Sequence, residues 1–221
     1  MTQKVHSWSW REIITAGVIL ATALPALADH HEQKGSPAAA LQTLIAGSHR
    51  GDADKARDQY RHPLETLNFF GITDNMTVVE IWPGGGWYTD ILAPFLKERG
   101  TYYAAGFNPE AEAEYTRTNA QKYKDKLTAK SHLFGKVKVT ILDPPTKMEI
   151  APEGSADMVL TFRNIHNWMA RDQAATVFQA MYKALKPEGI LGVVEHRAKA
   201  DVLQDPKAKS GYVREDEVIK L

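Results

Sequence analysis

The sequence predicts an α/β fold with a doubly wound, mostly parallel sheet. Three observations predict it. Short apolar, β-branched runs alternate with amphipathic helical segments, a glycine cluster follows the first run, and polar residues follow the others. The chain has 221 residues, which is enough for one α/β domain with a full core. An alternating strand and helix order places the carboxyl ends of the strands at one edge of the sheet.

Five strands are predicted by apolar runs that end at turn or polar residues. The first run, TVVEI, is typical of a buried parallel strand. Prolines end the second and third runs, at Asn108-Pro109 and at Asp143-Pro144-Pro145. Gly154-Ser155 precedes the fourth run, and a predicted turn over residues 186–189 precedes the fifth. The predicted strands span residues 77–81, 101–107, 137–142, 156–162 and 190–194.

Helical segments lie between and before these strands. Pro63 is suited to the first turn of a helix, and Gly71 is suited to its C-cap. After the glycine cluster, apolar residues recur at helical spacing up to Phe95. The predicted helices span residues 38–46, 52–60, 63–70, 87–95, 110–130 and 172–185, and a last helix starts within residues 211–221.

The composition excludes several classes of function. The 27 basic and 27 acidic residues balance to a formal net charge of zero, so no nucleic-acid partner is predicted. The chain contains no cysteine, which excludes disulfides, thiolate catalysis and cysteine-ligated zinc.

The first 28 residues have the pattern of a secretory signal peptide. Lys4 and Arg11 form a positive region, and an apolar stretch over residues 13–24 is short for a transmembrane span. Ala26-Leu27-Ala28 is a typical cleavage site. Cleavage after Ala28 predicts a periplasmic or secreted protein with no stable membrane span, and the alternative is an uncleaved anchor. We expect residues 29–50 to be a partly disordered leader and residues 51–221 to be the α/β domain.

The glycine cluster Gly84-Gly85-Gly86 is the strongest indication of a ligand site. A strand, a glycine turn and a helix together present backbone N–H groups and a helix N-terminus to a ligand. Glycine is needed because the turn requires unusual backbone angles and the ligand must approach closely. The alternative is a plain tight connection between strand and helix.

Polar residues follow the fourth and fifth predicted strands, where ligands bind in such sheets. His166 is the first candidate for a general base, and Glu195 and His196 are the next. Arg163 is the candidate to orient an anionic acceptor. Alternatively, His166 is only a hydrogen-bonded histidine beside Trp168. The scattered spacing of these histidines does not indicate a metal site, even with His62 included.

Two further groups of residues have open roles. Arg61 and His62 are candidates for the mouth of the pocket, although their helix could simply cover the first strand. Four aromatic side chains are candidates for the walls of an acceptor pocket, and the alternative is that they fill the core. These aromatic residues are Trp82, Trp87, Tyr88 and Trp168.

Several motifs resemble those of class I S-adenosylmethionine-dependent methyltransferases. Residues 80–86, EIWPGGG, resemble the family pattern of an acidic residue, a hydrophobic residue and G-x-G-x-G, with Trp82 in place of the first glycine. Residues 185–191, LKPEGIL, are similar to the family signature L-K-P-G-G-x-L, and residues 154–159 resemble the segment that leads into strand four. Residues 61–71 and 80–94 resemble a group of exported bacterial proteins described as predicted methyltransferases.

The resemblance implies a Rossmann-like fold, S-adenosylmethionine as cofactor and methyl transfer to a small molecule. Asp143 matches the position that often contacts the adenine amino group. Asn108 stands where an acidic residue usually holds the ribose hydroxyls, and it can hydrogen-bond a hydroxyl without the charge. The cofactor contacts expected in this sequence are Glu80, Trp82, Gly84, Gly85, Gly86, Asn108, Asp143 and Asn164.

Two other functions stay open at this point. A non-catalytic periplasmic binding module on the same fold is favoured by export, by Trp82 and by the absence of an acidic residue at Asn108. A nicotinamide dehydrogenase fits less well, because Pro83 and the glycine spacing depart from G-x-G-x-x-G.

The carboxyl-terminal region also departs from the family pattern. The family sheet usually ends in an antiparallel hairpin of two further strands, and the sequence contains only one helical segment after the fifth strand. We therefore expect the fifth strand to be an exposed edge that is covered by a partner or by strands missing from a truncated chain.

Overall fold

The computed structural model describes residues 35–221. The predicted signal peptide and residues 29–34 of the predicted leader lie outside the described residues. None of the helices in the described range combines the length and the apolarity that a membrane span needs.

The core of the fold is a sheet of five parallel strands, which confirms the predicted α/β class. The spatial order is β3-β2-β1-β4-β5. The chain therefore adds β2 and β3 on one side of β1 and then crosses to add β4 and β5 on the other side, so the strand order reverses between β1 and β4. Such a reversal leaves a crevice at the carboxyl ends of the two central strands. The strands are β1 (Thr77–Ile81), β2 (Thr101–Gly106), β3 (Lys138–Ile141), β4 (Ala156–Phe162) and β5 (Leu185–Val194).

Helices cover both faces of the sheet, because each face carries its own apolar cluster. On one face, Leu67, Ile91 and Leu92 pack against β1 and β2. On the other face, Trp168 and Met181 pack against β1 and β4. The helices are α1 (Pro37–Ala46), α2 (Asp52–Lys55), α3 (Asp58–Arg61), α4 (Pro63–Phe69), α5 (Thr89–Leu96), α6 (Glu114–Ala129), α7 (Ser131–Phe134), α8 (Ile165–Ala170), α9 (Ala174–Ala184) and α10 (Glu215–Lys220).

The first helix agrees with the sequence prediction to within one residue. The Ser36 hydroxyl oxygen accepts a hydrogen bond from the Ala39 N–H at 3.3 Å, and Pro37 occupies the first turn. Leu41 is completely buried where α1 packs against α4 and α5. The end of the predicted leader is therefore part of the packed domain.

Two elements are organised differently from the prediction, whereas most other predicted ends differ by one or two residues and α6 starts at Glu114 instead of residue 110. The short helices α7 and α8 were not predicted. The predicted helix over residues 52–60 is broken into α2 and α3. The turn predicted over residues 186–189 belongs to β5, which starts at Leu185. Leu185 pairs with Ala156 and Ile190 pairs with Met158, so extra residues bulge from β5 between these pairs. Glu188 takes a left-handed conformation (φ 64°) inside the bulge, and this local turn is the feature that the sequence pattern detected.

No antiparallel strand lies beside β5 within residues 35–221, so β5 is an edge of the described sheet. Arg197 and Val213 form an isolated parallel bridge beyond the strand, and α10 follows. The cover that we expect for this edge, by a partner or by further strands, stays a prediction.

A buried ion pair anchors the short helices α2 and α3. The guanidinium group of Arg50 is buried and donates two hydrogen bonds of 2.7 Å to the Asp58 carboxylate. It also donates to the Ile45 carbonyl oxygen at 2.6 Å and lies 5.0 Å from the centre of the Trp87 ring. Because a buried charge is costly without its partner, Asp58 is needed to keep this corner folded.

Replacing Asp58 with alanine is expected to lower the free energy of unfolding by about 3–5 kcal/mol, since it leaves the Arg50 charge buried and unpaired. The control is Asp74→Ala, which breaks the exposed Arg99–Asp74 pair and is expected to cost about 1 kcal/mol or less. Urea denaturation of both variants measures the difference. Equal losses would contradict the anchoring role of Asp58.

Candidate active site

The glycine turn connects β1 to α5 as the sequence predicted. Trp82, Gly84 and Gly86 all have left-handed backbone angles, with φ values of 45°, 57° and 75°. A Cβ atom at Gly86 would lie 3.1 Å from the Tyr123 ring, so this position has little room for a side chain. A Cβ atom at Gly84 would meet no protein atom within 4 Å. Gly84 therefore combines a backbone conformation that favours glycine with open space around it.

A polar cavity of about 450 Å³ lies beside this turn, at the carboxyl ends of β1 and β4. Its walls are backbone on the turn side and charged or aromatic side chains elsewhere. The predicted catalytic and cofactor residues that line it are Glu80, Trp82, Gly84, Gly85, Arg163, Asn164, His166 and His196. The candidates for the mouth and walls of the pocket that line it are Arg61, Trp87 and Tyr88, and the remaining lining residues are Asp54, Arg57, Pro83 and Phe162.

A second cavity of about 350 Å³ shares several of these walls. Arg57, Arg61 and Arg163 line both cavities, and Tyr60 and Glu195 are added in the second. No residue of the glycine turn lines this second cavity.

A third cavity, of about 380 Å³, lies on the other side of Gly84. Phe107, Leu127 and Ile141 are among its mostly apolar walls. Because Gly84 lines both this apolar cavity and the polar one, a ligand that crosses the turn at Gly84 reaches both.

Asn108 and Asp143 lie at the ends of β2 and β3, and they bind each other. The Asn108 amide donates to an Asp143 carboxylate oxygen at 2.7 Å, and Lys147 Nζ lies 3.3 Å from Asn108 Oδ1. Neither residue lines any of the three cavities. Their predicted contacts with ribose and adenine therefore stay predictions, and they would require this pair to open or to bind as a unit.

His166 and Glu195 form a close pair beside the polar cavity. His166 Nδ1 lies 3.1 Å from Glu195 Oε1. The other carboxylate oxygen, Oε2, accepts hydrogen bonds from the N–H groups of Ile165 and His166 at 2.8 and 3.3 Å, and Oε1 also accepts one from the His196 N–H at 2.8 Å. Fixed in this way, Glu195 favours the imidazole tautomer with the proton on Nδ1, which leaves a lone pair on Nε2. Such a pair can take a proton from a ligand in the cavity.

The aromatic candidates divide between core and site. Trp168 is completely buried and fills the core. Trp82 Nε1 donates to the Leu142 carbonyl oxygen at 3.0 Å, and the indole packs between Phe107 and Trp168, so it is mainly a core side chain with one edge in the cavity. Trp87 and Tyr88 contact each other at the cavity wall.

The comparisons with solved structures agree with this architecture. A SAM-dependent methyltransferase from Aquifex aeolicus superposes with a TM-score of 0.56 and 19% sequence identity, over 84% of this chain and 85% of that chain. The chain has the Rossmann-like methyltransferase fold. No protein-family model matches the sequence, and the comparison with curated proteins found no match.

Two weaker similarities cover less of the molecules. The YcgJ protein from Bacillus subtilis has a TM-score of 0.47 and 16% identity, over 64% of this chain and 53% of that chain. The precorrin-6y C5,15-methyltransferase from Geobacter metallireducens has a TM-score of 0.43 and 18% identity, over 59% of each chain. This chain thus spans less than two thirds of the length of either of these two proteins.

In this methyltransferase fold, the acidic residue of the first strand is part of a buried polar network. Tyr102 donates a hydrogen bond to the Glu80 carboxylate, and the Thr89 hydroxyl lies 3.0 Å from the hydroxyls of both Tyr102 and Tyr123. Burial raises the pKa of Glu80 to about 7, although Tyr102 and the nearby Lys126 favour its charged form. Glu80 is therefore a carboxyl group that exchanges a proton near neutral pH beside the glycine turn.

We expect Glu80 to make folding stability decrease as the pH rises from about 4.5 to about 7. In that window the folded state keeps a proton that the unfolded chain, with a pKa of 4.5, has already released. The full effect is up to about 3 kcal/mol. The measurement is the free energy of unfolding in urea across this pH range for the wild type and for Glu80→Gln, which should lack this part of the slope. Identical slopes in the two proteins would show that Glu80 titrates normally.

Sequence reasoning missed part of the site. Tyr102, Tyr123 and Thr89 were not considered, although a glutamate in a buried strand needs hydrogen-bond partners and the next strand carries a tyrosine. Phe162 and Asp54 were also missed as cavity walls. Gly86, Asn108, Asp143 and Glu195 were predicted site residues that do not line the polar cavity, and Glu195 approaches it through His166.

His62 lies outside the site, in contrast to Arg61. Its side chain is 63% exposed, and it lines neither the polar cavity nor the second one. Among residues 35–221, no three His, Cys, Asp or Glu side chains gather closely enough to hold a metal ion.

Proposed function

We propose that the protein transfers the methyl group of S-adenosylmethionine to a small-molecule acceptor. The observation that carries this proposal is the polar cavity, which is lined both by the open glycine turn and by His166, the partner of Glu195. The Aquifex aeolicus protein, whose fold this chain shares over most of its length, is a SAM-dependent methyltransferase. The fold alone does not determine activity, so the proposal depends on the site.

The cavities suit the two halves of the cofactor. We assign the amino-acid half to the polar cavity, where the backbone of Gly84 and Gly85 is available. The predicted contact with Asn164 is restricted, because its amide nitrogen already donates to the Ile81 carbonyl oxygen at 3.0 Å and to the Thr161 hydroxyl at 3.2 Å. The apolar cavity on the other side of Gly84 offers walls of the kind that an adenine ring needs. Gly84 has no side chain and open space above it, which allows the close backbone approach that this assignment requires.

The bound cofactor supplies a methyl group activated by the sulfonium, so the protein must mainly position the acceptor and exclude water. We assign to His166 Nε2 the removal of a proton from the acceptor as its new bond to the methyl carbon forms. Glu195 is a positioning residue, because it holds the His166 ring by Nδ1. Tyr88 and Phe162, whose rings stack at 3.6 Å, exclude water from one wall.

The test is calorimetric titration of the purified protein with S-adenosylmethionine and S-adenosylhomocysteine, followed by a screen of methyl acceptors. We expect both ligands to bind with micromolar dissociation constants. A well-folded protein that binds neither ligand would refute the proposal. Binding without transfer to any acceptor would favour a binding module on this fold.

We also propose that the protein acts after export, as the signal-peptide pattern of residues 1–28 indicates. The test is expression of the full chain in a Gram-negative bacterium, followed by cell fractionation and amino-terminal sequencing. We expect a periplasmic protein that starts at Asp29. An unprocessed cytoplasmic protein would refute export.

A further inference from the structure

Three arginines from two parts of the chain meet at the candidate site. Arg57 lies between α2 and α3, Arg61 ends α3, and Arg163 directly follows β4. All three line both the polar cavity and the second cavity beside it. The Arg61 guanidinium group also lies 4.6 Å from the centre of the Trp87 ring, within the range of a cation–π contact.

These arginines have no protein partner for their charge in the described part of the chain. Within residues 35–221, none of the three guanidinium groups forms an ion pair or a hydrogen bond with the protein. By contrast, Arg50 and Arg99 are each bound to an aspartate. The donors of the three arginines are therefore left for solvent or for a ligand in the two cavities that these residues line.

The three charges also repel one another. Burial together with the charges of Arg163 and Arg57 lowers the pKa of Arg61 to about 10. Three carboxylates lie nearby. Asp54 favours the charged form of Arg61, but its effect on the pKa is smaller than that of either neighbouring arginine. Glu195 is already bound to His166 and to three backbone N–H groups, and Glu80 is buried with Tyr102. A ligand with negative charge would relieve this repulsion.

We propose that the arginine cluster binds a carboxylate or phosphate group of the methyl acceptor. This inference rests on the proposed function. A guanidinium group presents paired N–H donors that match the two oxygens of such a group. The cofactor itself carries a net positive charge, since its sulfonium and ammonium groups outweigh its one carboxylate, so it adds to the positive charge that the acceptor must offset.

The other source of an oxyanion is the carboxylate of the cofactor. The placement of the arginines favours the acceptor, because the cluster continues into the second cavity, which the glycine turn does not line. Tyr60, Tyr88 and Phe162 are also walls of that cavity, so it suits a small acceptor with an aromatic ring beside its anionic group.

The test uses the purified protein saturated with S-adenosylhomocysteine and two matched probes, 4-hydroxybenzoate and its neutral amide, 4-hydroxybenzamide. By calorimetry we expect the acid to bind at least about tenfold more tightly than the amide. Arg57→Gln, Arg61→Gln and Arg163→Gln are each expected to weaken acid binding about tenfold. Arg57 is exposed, so its variant carries little risk of misfolding. The control Arg99→Gln removes a guanidinium group that pairs with Asp74 instead, and it should change nothing.

Affinity for S-adenosylhomocysteine separates the two sources of the anion. If the arginines bind the anionic group of the acceptor, the dissociation constant of S-adenosylhomocysteine should change by no more than about threefold in each variant. Such a change is smaller than the loss of one hydrogen bond to a charged group would cause. If instead the variants lose S-adenosylhomocysteine and acid binding is unaffected, the arginines hold the cofactor carboxylate, and this inference is wrong while the proposed function stands. Equal binding of acid and amide also overturns it. A wild type that binds the acid but not S-adenosylhomocysteine overturns both the methyltransferase and the acceptor assignment.

Discussion

Replacing His166 with glutamine is expected to slow methyl transfer by about a hundredfold to ten-thousandfold, which is the usual contribution of a positioned general base. Glutamine keeps a polar side chain of similar length but cannot accept a proton near neutral pH. The rate is to be measured with an acceptor that the wild type methylates, under saturating cofactor. Affinity for S-adenosylhomocysteine should be unchanged, because His166 acts on the acceptor.

The pH profile distinguishes a base from a merely structural histidine. The pH dependence of the wild-type rate should change in His166→Gln, because this variant has no base at that position. Glu195→Gln should slow the reaction less than His166→Gln while keeping the pH dependence, since it disturbs only the tautomer and orientation. A His166→Gln enzyme with wild-type rate and profile would show that the proton leaves by another route.

Replacing Gly84 with valine is expected to weaken the binding of S-adenosylhomocysteine by about a hundredfold or more, because the branched side chain fills the space in which the cofactor approaches the turn. The Cβ atom meets no protein atom within 4 Å, so the folded protein has room for the side chain and only the ligand is displaced. Gly86→Val is expected to abolish binding as well, but it also presses on Tyr123. Calorimetric titration measures both effects.

Gly154→Val provides a matched control for this experiment. Gly154 has a similar left-handed φ of 63° and equally open surroundings. It lies in the loop before β4, at the amino ends of the strands, whereas Gly84 lies at their carboxyl ends. Both valines should lower stability by about 1–2 kcal/mol through backbone strain. Only the Gly84 variant should lose the ligand. Equal affinities in the two folded variants would exclude the glycine turn as the cofactor site.

The central strands were predicted with their correct bounds. For β1 (Thr77–Ile81) and β4 (Ala156–Phe162) the agreement follows from their position, because helices cover both faces of the sheet at its centre, so these strands are buried on both faces and need a continuous apolar run. The prediction was wrong at β5, where the sequence pattern marked a turn before the strand. Pairing with β4 extends β5 through that turn as a bulge, and a bulge depends on the partner strand.

The site was predicted in part, and its gaps have a common cause. The glycine turn, Arg163 and His166 line one cavity, as expected, because a parallel sheet brings the residues that follow its strands to the same end of the sheet. Phe162 and Asp54 were missed as walls, and the buried partners of Glu80 were missed entirely. Their roles depend on how side chains meet across different elements.

The sequence by itself determined the alternation of strands and helices, the glycine turn and the edge of the sheet at which a ligand can bind. These features are local, because apolar periodicity and glycine conformation act within a few residues. Only the tertiary structure decided that Asn108 binds Asp143, that Trp168 fills the core and that Arg57, Arg61 and Arg163 gather around one site. These outcomes depend on distances between residues far apart in the chain, which packing sets and which no local pattern encodes.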